Sequence, residues 1–166
     1  MIPPSLNLLV HLKQAHVGFV IIGGFAAAIH GCTLVTQDID ICMDFSAENL
    51  LRLQEALRDL NPVHRMTPQR VKLHLTAADG DRLQNLYLDT DLGPLDCLSQ
   101  VKGLGSYEQV VHESQEIETD GYTLCVLRVA ALIKAKEALN RPQDQLAVAQ
   151  LQAIQHLANA DIEKKD

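Results

Sequence analysis

Phe19-Val20-Ile21-Ile22-Gly23-Gly24 and, after 13 intervening residues, Asp38-Ile39-Asp40-Ile41-Cys42-Met43-Asp44-Phe45 decide how the rest of the chain is read. Four apolar residues running into a glycine pair predict a buried strand that turns sharply into a helix. Phe25 to His30 can form that helix, short and alanine-rich, with Gly31 as its C-terminal stop. The second segment alternates, with Ile39, Ile41 and Met43 on one face and Asp38, Asp40, Cys42 and Asp44 on the other. That pattern predicts a strand with one dry and one wet face.

Working outward, Leu6, Leu9, Val10 and Lys13 after Pro3-Pro4 have helical spacing. Ser46 is a good N-cap for an amphipathic helix over 47–60 carrying Leu50, Leu53, Leu57 and Leu60. The period then falls to two. Strands are expected around Val71, Leu73 and Leu75, around Leu86 and Leu88, and from Leu95 to Leu98 after the turn Asp91-Leu92-Gly93-Pro94. Asp89 and Asp91 read as residues of that turn. A hairpin follows, Glu116 to Glu118 with Tyr122 to Val126 around Asp120-Gly121, and then two helices over 128–139 and 142–158. The fold class is α+β: a mixed β-sheet with helices packed on one side, ending in two C-terminal helices. No repeat, low-complexity tract or Gly/Ser linker divides the chain. We therefore expect one domain over 1–166, with a core over about 17–126 and C-terminal helices over about 128–158.

The composition narrows the function classes. The 166 residues carry a formal charge of -7, most of it in the second half, with 4% aromatics and no Trp. This argues against diffuse, charge-driven nucleic-acid binding and against a base-stacking platform. The apolar run Val17 to Ile29 is shorter than a bilayer span and broken by Gly23-Gly24, so no membrane segment is expected. Residues 1–14 lack the features of a signal peptide, and Cys32, Cys42, Cys97 and Cys125 are widely separated. The expectation is a cytoplasmic protein with reduced thiols.

Two features carry chemistry. Asp38 and Asp40, two apart on a strand, leave the same face and can hold one divalent cation. A strand entering a helix through Gly23-Gly24 offers bare backbone N–H groups to phosphate oxygens. Singly, a glycine pair is a tight turn and Asp-x-Asp the solvated face of an edge strand. Together, on neighbouring strands, they place a phosphate cradle beside a metal pair. The order strand, Gly-Gly, short helix, Asp-x-Asp resembles the nucleotidyltransferase superfamily, the polymerase-beta-like group. The string Gly23 to Gly31 with Thr36-Gln37-Asp38-Ile39-Asp40 looks like its minimal bacterial and archaeal members, which include types related to abortive-infection and toxin–antitoxin systems.

The resemblance implies further roles. Asp96, in Leu95-Asp96-Cys97 after a glycine turn, matches the third carboxylate; its alternative is a solvent-facing edge residue. Asp38, Asp40 and Asp96 would bind Mg2+ or Mn2+, with Asp96 also a general base. Gly23, Gly24 and Thr36 would contact the nucleoside triphosphate. Near the C-terminus, Lys136, Arg141 and Asp144 match the lysine, arginine and aspartate of similar chains, Lys136 or Arg141 balancing charge on the leaving pyrophosphate. Lys136 shares a stripe with Val129, Leu132 and Ile133, whereas Lys134 points away. A lysine on a core-facing stripe calls for a carboxylate or a triphosphate, unless it snorkels to water. Asp144 also suits the first turn of a helix.

Two positions depart from the family pattern. Phe25 stands where many relatives have Ser, and Leu34 where close relatives often have Arg two residues before the Thr. Each change removes a possible phosphate contact. Separately, His64, Arg65, Arg70, Lys72 and His74 lie in a stretch without acids. They read either as a rim that steers an RNA acceptor or as a solvated strand face. The activity implied is transfer of a nucleoside monophosphate to a hydroxyl of a protein, an RNA or a small molecule. The alternative is a nucleotidyltransferase-like binding module of weak or lost chemistry, such as one component of a toxin–antitoxin pair.

Overall fold

Burial of the central strands organises the molecule, which we describe from a computed structural model covering residues 3–165; residues 1, 2 and 166 of the expected unit lie outside the described part. The chain runs through α1 (Pro4–Gln14), β1 (Phe19–Ile22), α2 (Gly23–Ile29), β2 (Ile39–Met43), α3 (Ala47–Leu57), β3 (Val63–His64), β4 (Asn85–Thr90) and β5 (Gly93–Leu98). It continues through β6 (Gln100–Val101), β7 (Gly105–Ser106), α4 (Tyr107–His112), β8 (Ser114–Thr119), β9 (Tyr122–Leu127), α5 (Val129–Leu139) and α6 (Gln145–Glu163). Seven strands form a mixed sheet in the order β3-β4-β5-β2-β1-β9-β8, while β6 and β7 pair separately. β2 runs parallel to β5, and β1 parallel to β9. The expected α+β class, mixed sheet and two C-terminal helices are all present.

The registers sort the strand residues onto two faces. Ile21, Ile41 and Cys97 lie side by side, as do Ile39, Leu95 and Leu88, and all six are buried. Leu8, Leu9 and Leu12 of α1 and Leu50, Leu53 and Leu57 of α3 are fully buried, and the two helices pack on each other. Burying a leucine contributes about 2 kcal/mol. Summed over six side chains this outweighs the marginal intrinsic stability of helices this short. Ser46 caps α3 as expected, accepting from the Asn49 N–H at 3.3 Å. The helix gives way after Leu57 to a tighter turn over Arg58–Leu60, and Asn61 in the left-handed region ends it. Among the described residues, no helix is long and apolar enough to cross a membrane.

Three expectations are corrected. Cys42 does not face water: it is fully buried, because α4, which the alternation of the neighbouring strands concealed, packs against β1, β2, β8 and β9. The Ser106–Gln109 capping box that starts α4 is its sequence signal. No strand forms over 71–75 beyond one bridge between Val63 and Lys72. There the chain makes a tight turn through Arg70, whose φ is +48°, and the Leu75 N–H is taken by the Gln54 side chain of α3. Asp89 is not a turn residue but lies on β4, in register with Pro94 of β5.

Asn49 is the buried polar tie between layers. Its Oδ1 accepts from the Gly18 N–H at 2.7 Å, and its Nδ2 donates to the carbonyls of Gly18 and Asp44 at 3.0 and 2.7 Å. Replacing it would leave backbone groups at the start of β1 and the end of β2 unpartnered. Asn49→Ala should lower the unfolding free energy by about 2–4 kcal/mol, read from urea denaturation. A loss within about 0.5 kcal/mol would show that water replaces the amide freely.

Candidate active site

At the carboxyl end of β1 the chain enters α2 through Gly23, whose φ is +66°. A Cβ on Gly23 would overlap the Asp40 carboxylate, which stands beside Ile22 in the β1–β2 register. Glycine is therefore required twice, for the backbone angle and for the close approach. Ile22 precedes α2 and supplies no side-chain cap, so no side chain accepts from its first amides. A Cβ on Gly24 would lie 3.1 Å from Thr36, whose hydroxyl donates to the Asp38 carbonyl at 3.1 Å. Thr36 thus fixes the turn that delivers Asp38 to β2. Phe25 packs against the core, while Leu34 is partly exposed.

Asp40 and Asp96 are register partners on parallel strands, so their side chains leave the same face of the sheet. Asp38 precedes β2 and is exposed. Burial, together with repulsion from Asp96 and Asp38, pushes the Asp40 carboxyl up to about 6, although Lys136 and Arg141 pull it back. Burial likewise raises Asp96; the Arg65 hydrogen bond opposes the shift without cancelling it. Asp38, Asp40 and Asp96 thus act on one another through their charges.

Arg65 and Asp89 are the partners that sequence reasoning missed. Arg65 Nη2 donates to Asp96 Oδ1 at 2.5 Å, and Nη1 lies 3.8 Å from Asp89 Oδ1. Arg70 Nη1 holds Asp89 Oδ2 at 2.8 Å. Two members of the supposed basic rim are therefore engaged by acids at the site, not free for a polyanion. The only sequence signal was the clustering of Arg65 and Arg70 with other basic residues in a stretch without acids.

Across the site, Lys136 is 8% exposed and its partner is a carboxylate: Nζ lies 3.2 Å from Asp144 Oδ1. Arg141 grips the same carboxylate through Nε at 2.6 Å and Nη2 at 3.1 Å. Burial alone would raise Asp144, but the two cations outweigh it and hold its carboxyl below the usual range. Lys134 is exposed, as the helical stripe predicts. Between these groups lies a cavity of about 180 Å³, lined by Gly23, Asp40, Lys136, Arg141 and Lys102 and walled by aliphatic side chains that include Leu98, Val101 and Leu132.

No family model and no curated protein sequence matches the chain. Solved structures do. A Thermotoga maritima protein, TM1012, provisionally described as a nucleotidyltransferase, aligns over 96% of both chains at 18% identity with a TM-score of 0.57. LnuA, a lincosamide antibiotic adenylyltransferase solved with lincomycin bound, aligns over 91% of this chain and 96% of its own at 14% identity and 0.61. ANT(2'')-Ia, solved with adenylyl-2''-tobramycin, aligns over 98% of both at 16% identity and 0.54. The chain has the nucleotidyltransferase fold.

Within the nucleotidyltransferase fold, the carboxylate oxygens here suit a hard divalent cation in their chemistry. Among the described residues, however, no three His, Cys, Asp or Glu side chains already converge in coordinating positions. The Arg65 guanidinium holds one oxygen of Asp96.

Because the Asp40 carboxyl titrates near 6 in the fold but near its ordinary value when unfolded, the folded state binds the extra proton between those limits. The contribution of Asp40 to stability is thus full below the unfolded pKa and is lost as pH rises through 6. Asp40→Asn should raise the unfolding free energy of the cation-free chain by about 1–2 kcal/mol at pH 7.5 and by almost nothing at pH 4. Thermal melts of the two chains at both pH values read this directly; an Asn variant no more stable at pH 7.5 would show that the charge is already compensated.

Proposed function

We propose that this chain is a nucleotidyltransferase that moves a nucleoside monophosphate from a nucleoside triphosphate to a hydroxyl group. The observation that carries this reading is the register of Asp40 with Asp96 beside a Gly23 that leaves no room for a side chain. The first amides of α2 receive phosphate oxygens, and Lys136 and Arg141, across the cavity, balance the charge that builds on the departing pyrophosphate. Asp144 sets the direction of both cations.

Asp38, Asp40 and Asp96 would hold Mg2+ or Mn2+, which when bound neutralises phosphate charge. Asp96 also accepts the proton of the attacking hydroxyl, and its raised pKa suits a base. In balance, an acceptor O–P bond forms at the α-phosphorus, the bond to the bridging oxygen of pyrophosphate breaks, and the hydroxyl proton passes to Asp96. Positioning and charge supply the catalysis, and no covalent enzyme intermediate is needed.

The acceptor is a small hydroxylated molecule. The engagement of Arg65 and Arg70 by acids takes up both arginines of the five-residue basic rim that an RNA would use, and LnuA and ANT(2'')-Ia were solved with lincomycin and with an adenylylated tobramycin respectively. Incubation with labelled ATP, Mg2+ or Mn2+ and a panel of hydroxylated small molecules should yield nucleotidylated product and pyrophosphate. Asp38→Asn and Asp40→Asn should each reduce turnover about 100-fold or more. Undiminished turnover in both variants would overturn the assignment.

A further inference from the structure

Arg65 is anchored to β4 before it reaches the site. Its N–H donates to the Tyr87 carbonyl at 2.9 Å, and its Nη1 donates to the Leu88 carbonyl at 3.3 Å. From this base Nη2 meets Asp96 Oδ1 at 2.5 Å, while Nη1 stands 3.8 Å from Asp89 Oδ1. Charges of alternating sign, Asp96, Arg65, Asp89 and Arg70, therefore form a line that ends at the carboxylates of the site. The guanidinium needs only a small shift to exchange one acid for the other.

A guanidinium and a divalent cation compete for the same carboxylate oxygen, because each repels the other and both need the lone pairs of Oδ1. We propose that Arg65 is a stand-in counter-ion: it holds Asp96 while the site lacks a divalent cation, and passes to Asp89 when one binds. This rests on the cation site proposed for Asp38, Asp40 and Asp96. Cation loading and release of Arg65 are then one event. Arg65 is a positioning residue for the loaded site, and its grip sets the cation concentration at which the site fills.

Two measurements on the full chain without nucleotide test this. In calorimetric titration with Mn2+, Arg65→Gln should bind about five- to tenfold more tightly than the parent. In the parent itself, the side-chain nitrogen NMR signals of Arg65 should shift during a Mg2+ titration with the same midpoint as cation binding. Unchanged or weaker Mn2+ affinity in Arg65→Gln overturns the proposal, as do Arg65 signals that ignore Mg2+. If the Gln variant does not fold, the NMR titration of the parent decides alone. A parent that binds Mn2+ with Arg65 unmoved refutes the stand-in role and leaves the cation site intact. A parent that binds neither ion refutes both.

Discussion

The contact between Gly23 and Asp40 constrains everything around it. A backbone with no Cβ lies directly against a carboxylate, so the strand-to-helix turn and the second strand can approach only if position 23 is glycine. From that closeness follow the antiparallel register of β1 with β2 and the placing of Asp40 at the mouth of α2. Asp96 follows in turn, because β2 sets the register of β5. The uncapped amides of α2 then face the same space as the carboxylates. Under the proposed function, a phosphate with its counter-ions would reconcile the negative charge with these N–H groups.

Charge at this site is arranged as two opposed systems. On one flank, acids outnumber cations, and Asp40 is pushed up to about 6 by burial and by its neighbours. On the other, Lys136 and Arg141 share one buried acid, Asp144, leaving a net positive side. Such a dipole across a small cavity opposes folding. It suits a ligand that is itself polarised.

Strand alternation put Asp38 and Asp40 on one face without knowledge of the fold, whereas Asp96 was named only through the family resemblance; the structure sets it in register with Asp40. Sequence reasoning also reached Lys136, because helical spacing put it on the stripe of Leu132 and Ile133, both buried in the structure. It did not settle which acid pairs with Lys136: Asp144 arrives only after Asn140 reverses the chain in the left-handed region, with φ +49°. Arg65 and Asp89 stayed invisible as partners for a similar reason. Arg65 lies 31 residues from Asp96 along the chain, and only the β3–β4–β5 registers bring the three residues together. The expected strand over 71–75 failed because alternation is necessary for a strand but does not supply an edge to pair with. Cys42 was misplaced because the helix that buries it lies far downstream.

The parallel pairing of β2 with β5 has a consequence for how the molecule is made. Parallel neighbours cannot be joined by a hairpin, so α3, β3, β4 and the loops between must be threaded before Asp96 meets Asp40. The β1–β9 pair spans more of the chain still, from Ile21 to Val126. Contacts of such long sequence separation form slowly and late in folding. During synthesis, a nascent chain that has not yet delivered β5 has its glycine turn and its first two aspartates but no third carboxylate. The register that brings Asp40 to Asp96 also pairs Ile39 with Leu95 and Ile41 with Cys97, so burial of those apolar partners opposes the repulsion of the carboxylates as the two strands join.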